Sequence, residues 1–269
     1  MRPLPRAVAV TAIACLALLY LPLFAVAVLS FNSTRLGTAW GGFTTSWYQK
    51  LVGNEAVLSA ATNSLIVACA STLASTVIGT LLAIGLRRLP FGRQGRILAE
   101  MGTTLPTVTP DILLSAALVV AYGLLRTVSH VFDPGLVTLI IGHITFQISF
   151  VAIVVGSRLS AIGTDQIEAA RDLYASTGLL WRKVLLPQLA PGIVAGGLLA
   201  FTLSLDDFVV SFFVSGPSST TLPILIYASV KRGVTPEIHA LSTLIVVATM
   251  ITILGVALID RRNPRKSEP

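Results

Sequence analysis

Residues 136–158 read LVTLIIGHITFQISFVAIVVGSR, and this stretch decides what kind of protein the chain forms. Among its 23 residues the single Lys, Arg, Asp or Glu is Arg158, at the very end. A helix of this length rises about 34 Å, at about 1.5 Å per residue, and the hydrocarbon core of a bilayer is about 30 Å thick. The sequence therefore predicts a transmembrane helix here.

Five further stretches are similarly long and apolar, and they lie at about residues 7–31, 58–86, 97–125, 191–214 and 239–259. The first follows a short basic segment, 1–6, and lacks a small-residue cleavage site before a polar sequence, so we expect it to be retained. Hydrophobic residues make up 54% of the 269 residues and charged residues 12%, which is far from the composition of a soluble domain. The sequence predicts an all-α membrane protein with six transmembrane helices in a single domain, residues 7–260.

The positions of the basic residues predict the orientation of these helices. Fourteen of the 19 Lys and Arg residues fall in segments that are cytoplasmic if the N-terminus is inside. Positive residues are retained on the cytoplasmic side, so we expect both termini there, including a basic tail at 261–269. The net charge of +7 is spread in short clusters between apolar runs, a pattern that argues against nucleic-acid binding.

Two smaller features complete the topology. Cys15 and Cys69 each lie inside an apolar run, so we expect them to pack between helices rather than form a disulfide or a metal site. The apolar stretch 222–230 is too short to span, and we expect a helix lying at the outer surface.

A loop between the fourth and fifth predicted spans, residues 159–190, is rich in helix signals. Asp165 is placed to cap a short helix that exposes Ala169 and Ala170, which are small enough for another protein to approach closely. Thr177 and Gly178 then break that helix, and an amphipathic stretch continues to Pro187. These features fit a docking site, and they equally fit a helical hairpin resting on the membrane surface.

The spacing inside this loop resembles the EAA loop of ABC importer permeases, which reads Glu-Ala-Ala, three residues, Gly, nine residues, Ile, one residue, Leu-Pro. The matching positions are Glu168, Ala169, Ala170, Val184 (for Ile), Leu186 and Pro187. The glycine position holds Tyr174, which leaves open whether the first helix ends there or near Thr177 and Gly178. Asp172 and Gly178 lie within the same candidate coupling loop.

The resemblance implies a type I ABC importer permease fold in a bacterial inner membrane. In that family the loop forms a coupling helix that docks on a cytoplasmic ATPase subunit. The implied partners are a homologous second permease, two ATPase subunits and an extracytoplasmic binding protein. This chain has no Gly-x4-Gly-Lys-Ser/Thr phosphate loop, so we expect ATP and Mg²⁺ in the partner subunits, and neither a cofactor nor catalysis here.

Other segments resemble the spermidine/putrescine permeases, and the putrescine permeases in particular. They are Ser30–Ser33, Trp40–Phe43, Trp47-Tyr48, Asn63–Leu65, Phe201–Phe208, Ser215–Pro217, Thr221–Pro223 and Gly233–Ala240. The resemblance covers nearly the whole chain and implies import of a polyamine. Permeases for other small organic cations, amino-phosphonates or metal ions share parts of these segments and remain alternatives.

Three carboxylates fall within predicted spans, where an ionised group costs about 2.5–3.5 kcal/mol unless it faces a cavity or a partner: Asp111, Asp206 and Asp207. On a continuous helix Asp206 and Asp207 point about 100° apart. We therefore predict that Asp207, with Ser204 and Ser211, lines the translocation cavity, while Asp206 faces the helix of Asp111 or a partner subunit.

The side chains that accompany these carboxylates suit a cationic substrate. Phe208 and Tyr227 offer aromatic faces for cation–π contact. The alternative reading is structural, with the carboxylates hydrogen-bonded to helix ends or to the partner permease. Elsewhere in the spans, we expect His143, Gln147 and Asn63 to form hydrogen bonds between helices.

Two functions of other classes remain to be weighed. An ion-coupled secondary transporter also uses membrane carboxylates, but it leaves the loop from Glu168 to Pro187 unexplained and no inverted repeat is visible. An intramembrane aspartyl protease needs two carboxylates converging on one water; adjacent Asp206 and Asp207 on a helix diverge, whereas the pair of Asp111 and Asp207 stays open.

Overall fold

The computed structural model describes residues 6–34, 39–88 and 92–261, and most of these are helical. The α-helices of this described part, in chain order, are α1 (Arg6–Leu29), α2 (Ser46–Val52), α3 (Glu55–Arg88), α4 (Arg93–Val108), α5 (Asp111–Leu125), α6 (Leu136–Ala161), α7 (Thr164–Asp172), α8 (Thr177–Leu180), α9 (Leu186–Asp206), α10 (Val209–Val214), α11 (Leu222–Arg232) and α12 (Pro236–Arg261). A 3₁₀ turn, His130–Phe132, precedes α6, and a π-helical turn, Trp181–Leu185, joins α8 to α9. The fold is all-α, as predicted.

Four helical stretches of the described residues are long and apolar enough to cross a bilayer: Val8–Leu29, Glu55–Arg87, Leu136–Ala161 and Thr177–Asp206. The first, second and fourth predicted spans differ from α1, α3 and α6 by at most three residues at either end. The sixth predicted span falls within α12, where the apolar part of the described side chains, Pro236–Ile251, is shorter than a full crossing. The count of six spans stays a prediction.

The third predicted span, 97–125, is two helices rather than one. Neither α4 nor α5 alone is long and apolar enough to cross a bilayer, whereas the two together are. The chain bends by 111° between them, at Thr109-Pro110. Proline has no N–H and disfavours helical backbone in the residue before it. Thr109 accordingly has an extended backbone (φ −68°, ψ 130°), so the chain turns sharply before Asp111.

The chain divides into two compact units. One holds the described residues of Met1–Leu58 and Ile226–Pro269, in which α12 packs against α1 and α2. The segment between α1 and α2 is organised by Asn32, whose side chain donates to the Ala39 carbonyl (2.8 Å) and accepts from the Gly41 N–H (2.9 Å). The buried indole of Trp47 donates to the Asn32 carbonyl (2.7 Å). Hydrogen bonds within this polar segment therefore hold its conformation.

The second unit, Ser59–Leu225, is organised around α6. α6 packs against α4, α9 and α10, and fully buried Val151, Val155 and Leu189 form the centre of its larger apolar cluster. Cys69 lies in this unit and Cys15 in the other, and both thiols are free and exposed rather than packed between helices as predicted. The predicted helix at 222–230 is confirmed as α11.

Close contact between α3 and α6 depends on Gly79. A Cβ added at this position would lie 2.8 Å from the Val151 Cβ and 2.9 Å from the Ile148 carbonyl oxygen, closer than real Cβ atoms approach. Small residues are the usual means by which membrane helices come this close. By contrast, a Cβ at Gly156 of α6 would meet nothing within 4 Å.

We therefore expect Gly79→Ala to lower the free energy of unfolding by about 1–3 kcal/mol, because backbone and a buried valine have to move. The control, Gly156→Ala, should raise it by about 0.5–1 kcal/mol, because alanine restricts the unfolded chain at an open helical site. Thermal unfolding of the detergent-purified variants measures both. Equal melting temperatures for the two variants would contradict this packing.

Candidate functional site

The fifth predicted span, 191–214, is broken close to its carboxylates. α9 ends at Asp206 and α10 begins at Val209, and Asp207 between them has an extended backbone (φ −65°, ψ 121°). The Asp207 carboxylate accepts hydrogen bonds from the N–H groups of Val210 (3.2 Å) and Ser211 (2.8 Å). The continuous helix that we predicted is wrong because Asp207 satisfies the free amides of a second helix instead of extending the first.

Asp206 and Asp207 consequently lie in different environments. The Asp207 side chain is 9% exposed, and its oxygens are engaged with α10. Asp206, at the last position of α9, and Asp111, at the first position of α5, are exposed. Within the described part of the chain, the side chains of Asp206 and Asp111 have neither a hydrogen bond nor an ion pair, so their carboxylates are free.

His143 of α6 connects the two helices on either side of the break. Its Nδ1 lies 2.7 Å from the Ser204 hydroxyl of α9, and its Nε2 lies 3.0 Å from the Ser211 hydroxyl of α10 and 3.4 Å from the Asp207 carboxylate. A carboxylate only accepts, so the network assigns the proton to Nε2, while Nδ1 contacts the Ser204 hydroxyl. The imidazole is 1% exposed.

The predicted hydrogen bonds of His143 and Gln147 between helices are confirmed. Gln147 donates to the Ala200 carbonyl of α9 (3.1 Å) and accepts from the Ser75 hydroxyl of α3 (3.0 Å). Asn63 also forms tertiary hydrogen bonds, but its acceptors are carbonyls of the loop before α11 rather than of a helix: those of Ser218 (3.1 Å) and Thr220 (3.0 Å). The prediction for Asn63 was wrong about the partner.

The other predicted pathway residues are distributed as follows. Ser204 and Ser211 are buried against His143, and Phe208 lies in the break, 5.3 Å from Phe212 between ring centroids. Tyr227 belongs to the other compact unit, where the Lys231 ammonium lies 5.6 Å from its ring. The structure thus gathers Asp207, Ser204 and Ser211 around His143, and the role of the whole set in substrate passage stays a prediction.

A cavity of about 200 Å³ lies elsewhere, near the far end of α5. Its lining includes Tyr122, Arg126, Phe132 and Phe213, and none of the three carboxylates.

The candidate coupling loop is a helix–turn–helix, and Tyr174 makes the turn. α7 ends at Asp172, and Tyr174 takes the left-handed conformation with φ 54°. The Tyr174 N–H donates to the Arg171 carbonyl (2.8 Å) and the Ala175 N–H to the Ala170 carbonyl (3.0 Å), which is the hydrogen-bond pattern of a Schellman motif. Tyr174 therefore terminates the first helix, in a positive-φ conformation that glycine adopts without strain.

Two expectations for this loop were wrong. Thr177 and Gly178 open α8 rather than break α7, and Ser176 caps α8 by accepting from the Leu179 N–H (3.4 Å). Asp165 lies inside the first turn of α7, whose capping residue is Gly163, so its charge favours the helix start without capping it.

The tip of the loop is strongly exposed. Leu173 is 82% exposed and Tyr174 is 96% exposed, although the leucine side chain is apolar and the tyrosine ring is largely so. The other candidate coupling residues are exposed or half-buried: Glu168, Ala169, Ala170, Asp172, Gly178, Val184, Leu186 and Pro187. The π-helical turn directly precedes Leu186-Pro187, where proline removes a backbone donor and regular hydrogen bonding has to be rearranged.

Comparisons with known proteins agree with this architecture. Residues 75–266 match a family model described as a binding-protein-dependent transport system inner membrane component. The spermidine/putrescine transport system permease protein PotC of Escherichia coli K12 is 41% identical over 245 residues, which is 91% of this chain and 90% of PotC. The putrescine transport system permease protein PotI of the same strain is 41% identical over 87% of this chain and 83% of PotI.

Among solved structures, a chain of a bacterial ABC transporter involved in the import of the acidic polysaccharide alginate has a similar fold. The TM-score is 0.74 at 16% sequence identity, and the match covers 98% of this chain and 95% of that one. At this identity the likeness concerns the fold alone.

The different contacts of Asp206 and Asp207 predict different effects on stability when each is replaced by alanine. Asp207→Ala should lower the free energy of unfolding by about 1–3 kcal/mol, because it leaves two amides of α10 without their acceptor and removes the carboxylate beside the buried His143 ring. Asp206→Ala should change it by less than about 0.5 kcal/mol, because that side chain is exposed and free. Thermal unfolding in detergent measures both, and the reverse order would contradict the arrangement described above.

Proposed function

The chain belongs to the family of binding-protein-dependent transport system inner membrane components, and we propose that it forms half of the translocation pathway for a polyamine in an ABC importer. The observation that carries this proposal is the pair of free carboxylates at two helix breaks, Asp111 and Asp206. Broken helices in transporters place polar groups where substrates bind. Putrescine and spermidine carry ammonium groups, which a carboxylate at membrane depth attracts strongly.

The division of work among the carboxylates follows from their contacts. Asp207 is already bound to the amides of α10, so its role is to cap α10 and keep the two helices separate, and Asp206 beside it is available to a substrate ammonium. Phe208 in the break supplies an aromatic face, and Tyr227 on α11 is the second candidate for cation–π contact. Ser204 and Ser211 support Asp207 through His143.

We further propose six spans, with α12 as the sixth, in a single permease domain with both termini in the cytoplasm. The partners are a homologous permease, two ATPase subunits that bind ATP and Mg²⁺, and an extracytoplasmic binding protein. The exposed tip, Leu173 and Tyr174, supports docking of an ATPase subunit on the loop between α7 and α8, since two adjacent exposed side chains with apolar surface suit contact with a partner.

Uptake of labelled polyamine by proteoliposomes containing the chain with its partner subunits tests the function. We expect putrescine or spermidine uptake that requires ATP, stops with vanadate and survives collapse of ion gradients. Uptake driven by an ion gradient alone would favour a secondary transporter, and transport of amino-phosphonates or metal ions but no polyamine would redirect the substrate class.

Asp206→Asn should raise the polyamine concentration for half-maximal uptake about tenfold or more, because an ammonium at membrane depth loses its counter-charge. Asp133→Asn is the matched control, since Asp133 lies in the loop before α6 and faces His130 (3.1 Å). The control should transport like the parent protein. An Asp206→Asn variant that folds and keeps the parent concentration dependence would remove Asp206 from the pathway.

Tyr174 offers a test of docking that separates the ring from the backbone. Tyr174→Phe should keep substrate-stimulated ATPase activity, whereas Tyr174→Gly and Tyr174→Ala should lose most of it because the exposed ring is absent. The glycine variant should still be more stable than the alanine variant by about 1 kcal/mol, because glycine adopts positive φ without strain. ATPase activity of the reconstituted complex and hydrogen exchange in α7 measure these two effects. Full activity of Tyr174→Gly would show that the ring contributes no docking contact.

A further inference from the structure

Two short helices of the second unit, α5 and α10, share the same construction. Each follows a longer helical stretch from which it is separated by an extended residue, Thr109 before α5 and Asp207 before α10. α10 also ends on an extended residue, Ser215 (φ −66°, ψ 151°), so it has an extended joint at either end. Extended joints of this kind absorb backbone rotation more readily than a continuous helix does.

α5 and α10 are also packed against each other. Leu118 and Tyr122 of α5 form one buried cluster with Val210 and Val214 of α10 and with Phe146 of α6, but α5 and α10 contact each other more extensively than either contacts α6. A residue pair packed this closely moves together, because separating it would expose buried apolar surface and leave voids. The two short helices therefore form one body, which we call the α5–α10 pair.

The α5–α10 pair is tied to the central helix α6 at two levels. At one level the Tyr122 hydroxyl donates to the Thr138 carbonyl (3.1 Å). At the level of the break, the His143 ring contacts Ser211 of α10 (3.0 Å) and simultaneously Ser204 of α9 (2.7 Å). His143 therefore joins α9 to α10 across the extended joint.

We infer that His143 is a positioning residue that latches the α5–α10 pair closed, and that transport requires this latch to open. The inference rests on the proposed transport function, which needs the pathway to change shape. The pair carries Asp111 at the start of α5, and the break beside it carries Asp206, so opening the latch alters the spacing of the two free carboxylates. His143 thereby acts on the substrate site without touching the substrate.

The position of the ring suits this task. Both ring nitrogens are used across the break, so a single side-chain rotation releases both contacts. Unlike the apolar cluster, these hydrogen bonds can be exchanged for bonds to water when the pathway opens.

Cysteine accessibility at the break tests the latch directly. The probe is Val209→Cys, at the first residue of α10, in a chain whose two native cysteines are replaced by serine, within the full complex in proteoliposomes without nucleotide or substrate. The rate of reaction with a water-soluble maleimide reports how often the break opens. We expect Ser211→Ala and His143→Ala each to raise this rate about threefold to tenfold, the effect of losing one or two buried hydrogen bonds.

Thr145→Ala is the matched control. Thr145 lies on α6 close to His143, but its hydroxyl donates to the Ile141 carbonyl of its own helix (2.9 Å), so the labelling rate should stay at the parent value. Unchanged labelling in Ser211→Ala and His143→Ala, with both variants folded by thermal unfolding, would overturn the latch. Ser211→Ala is the milder change and serves if His143→Ala fails to fold.

Transport kinetics then separate the latch from a purely structural role and from the proposed function. Release of the latch should alter the maximal uptake rate and leave the half-maximal polyamine concentration unchanged, whereas loss of Asp206 should change that concentration. A fall in melting temperature with normal labelling and normal uptake would mean that His143 is structural. Faster labelling in a complex that moves no polyamine would keep the latch and refute the proposed substrate.

Discussion

A helix that ends in a buried, apolar environment leaves backbone N–H and C=O groups that its surroundings cannot satisfy, and the region around Asp207 is organised by this constraint. The Asp207 carboxylate takes two amides of α10, His143 supports that carboxylate and both flanking serines, and Gln147 one turn further along α6 binds a carbonyl of α9. Every one of these partners is supplied by this chain. The break can therefore persist without water, and it leaves Asp206 free beside it.

The constraint also explains why two adjacent, chemically identical residues differ in role. Asp207 is used by the backbone that it caps, and a carboxylate engaged in this way offers little to a ligand. Asp206 has no such contact in the described part of the chain and is exposed at the end of α9. A carboxylate that is exposed and unpaired within its own chain is available to a partner from outside it.

Length and hydropathy were enough to place α1, α3 and α6, because crossing a bilayer demands a long apolar helix and little else. The bend before Asp111 had a visible cause in Thr109-Pro110, yet hydropathy alone merged α4 and α5 into one span. The break at Asp207 had no comparable signal, since an aspartate inside an apolar run caps a helix only if a second helix starts there.

His143 was predictable as a cross-helix residue, but its partners depend on how α9 and α10 pack against α6. The loop spacing identified Tyr174 as the departure from glycine, and only the backbone angle revealed that tyrosine adopts the glycine conformation.

The account is tested most directly by a high-resolution density map of the complete importer with a polyamine trapped in its membrane subunits. It predicts a substrate ammonium within about 4 Å of the Asp206 carboxylate, with Asp207 still bound to the amides of Val210 and Ser211. An ammonium held by Asp207, with the first turn of α10 uncapped and Asp206 remote from the substrate, would contradict it.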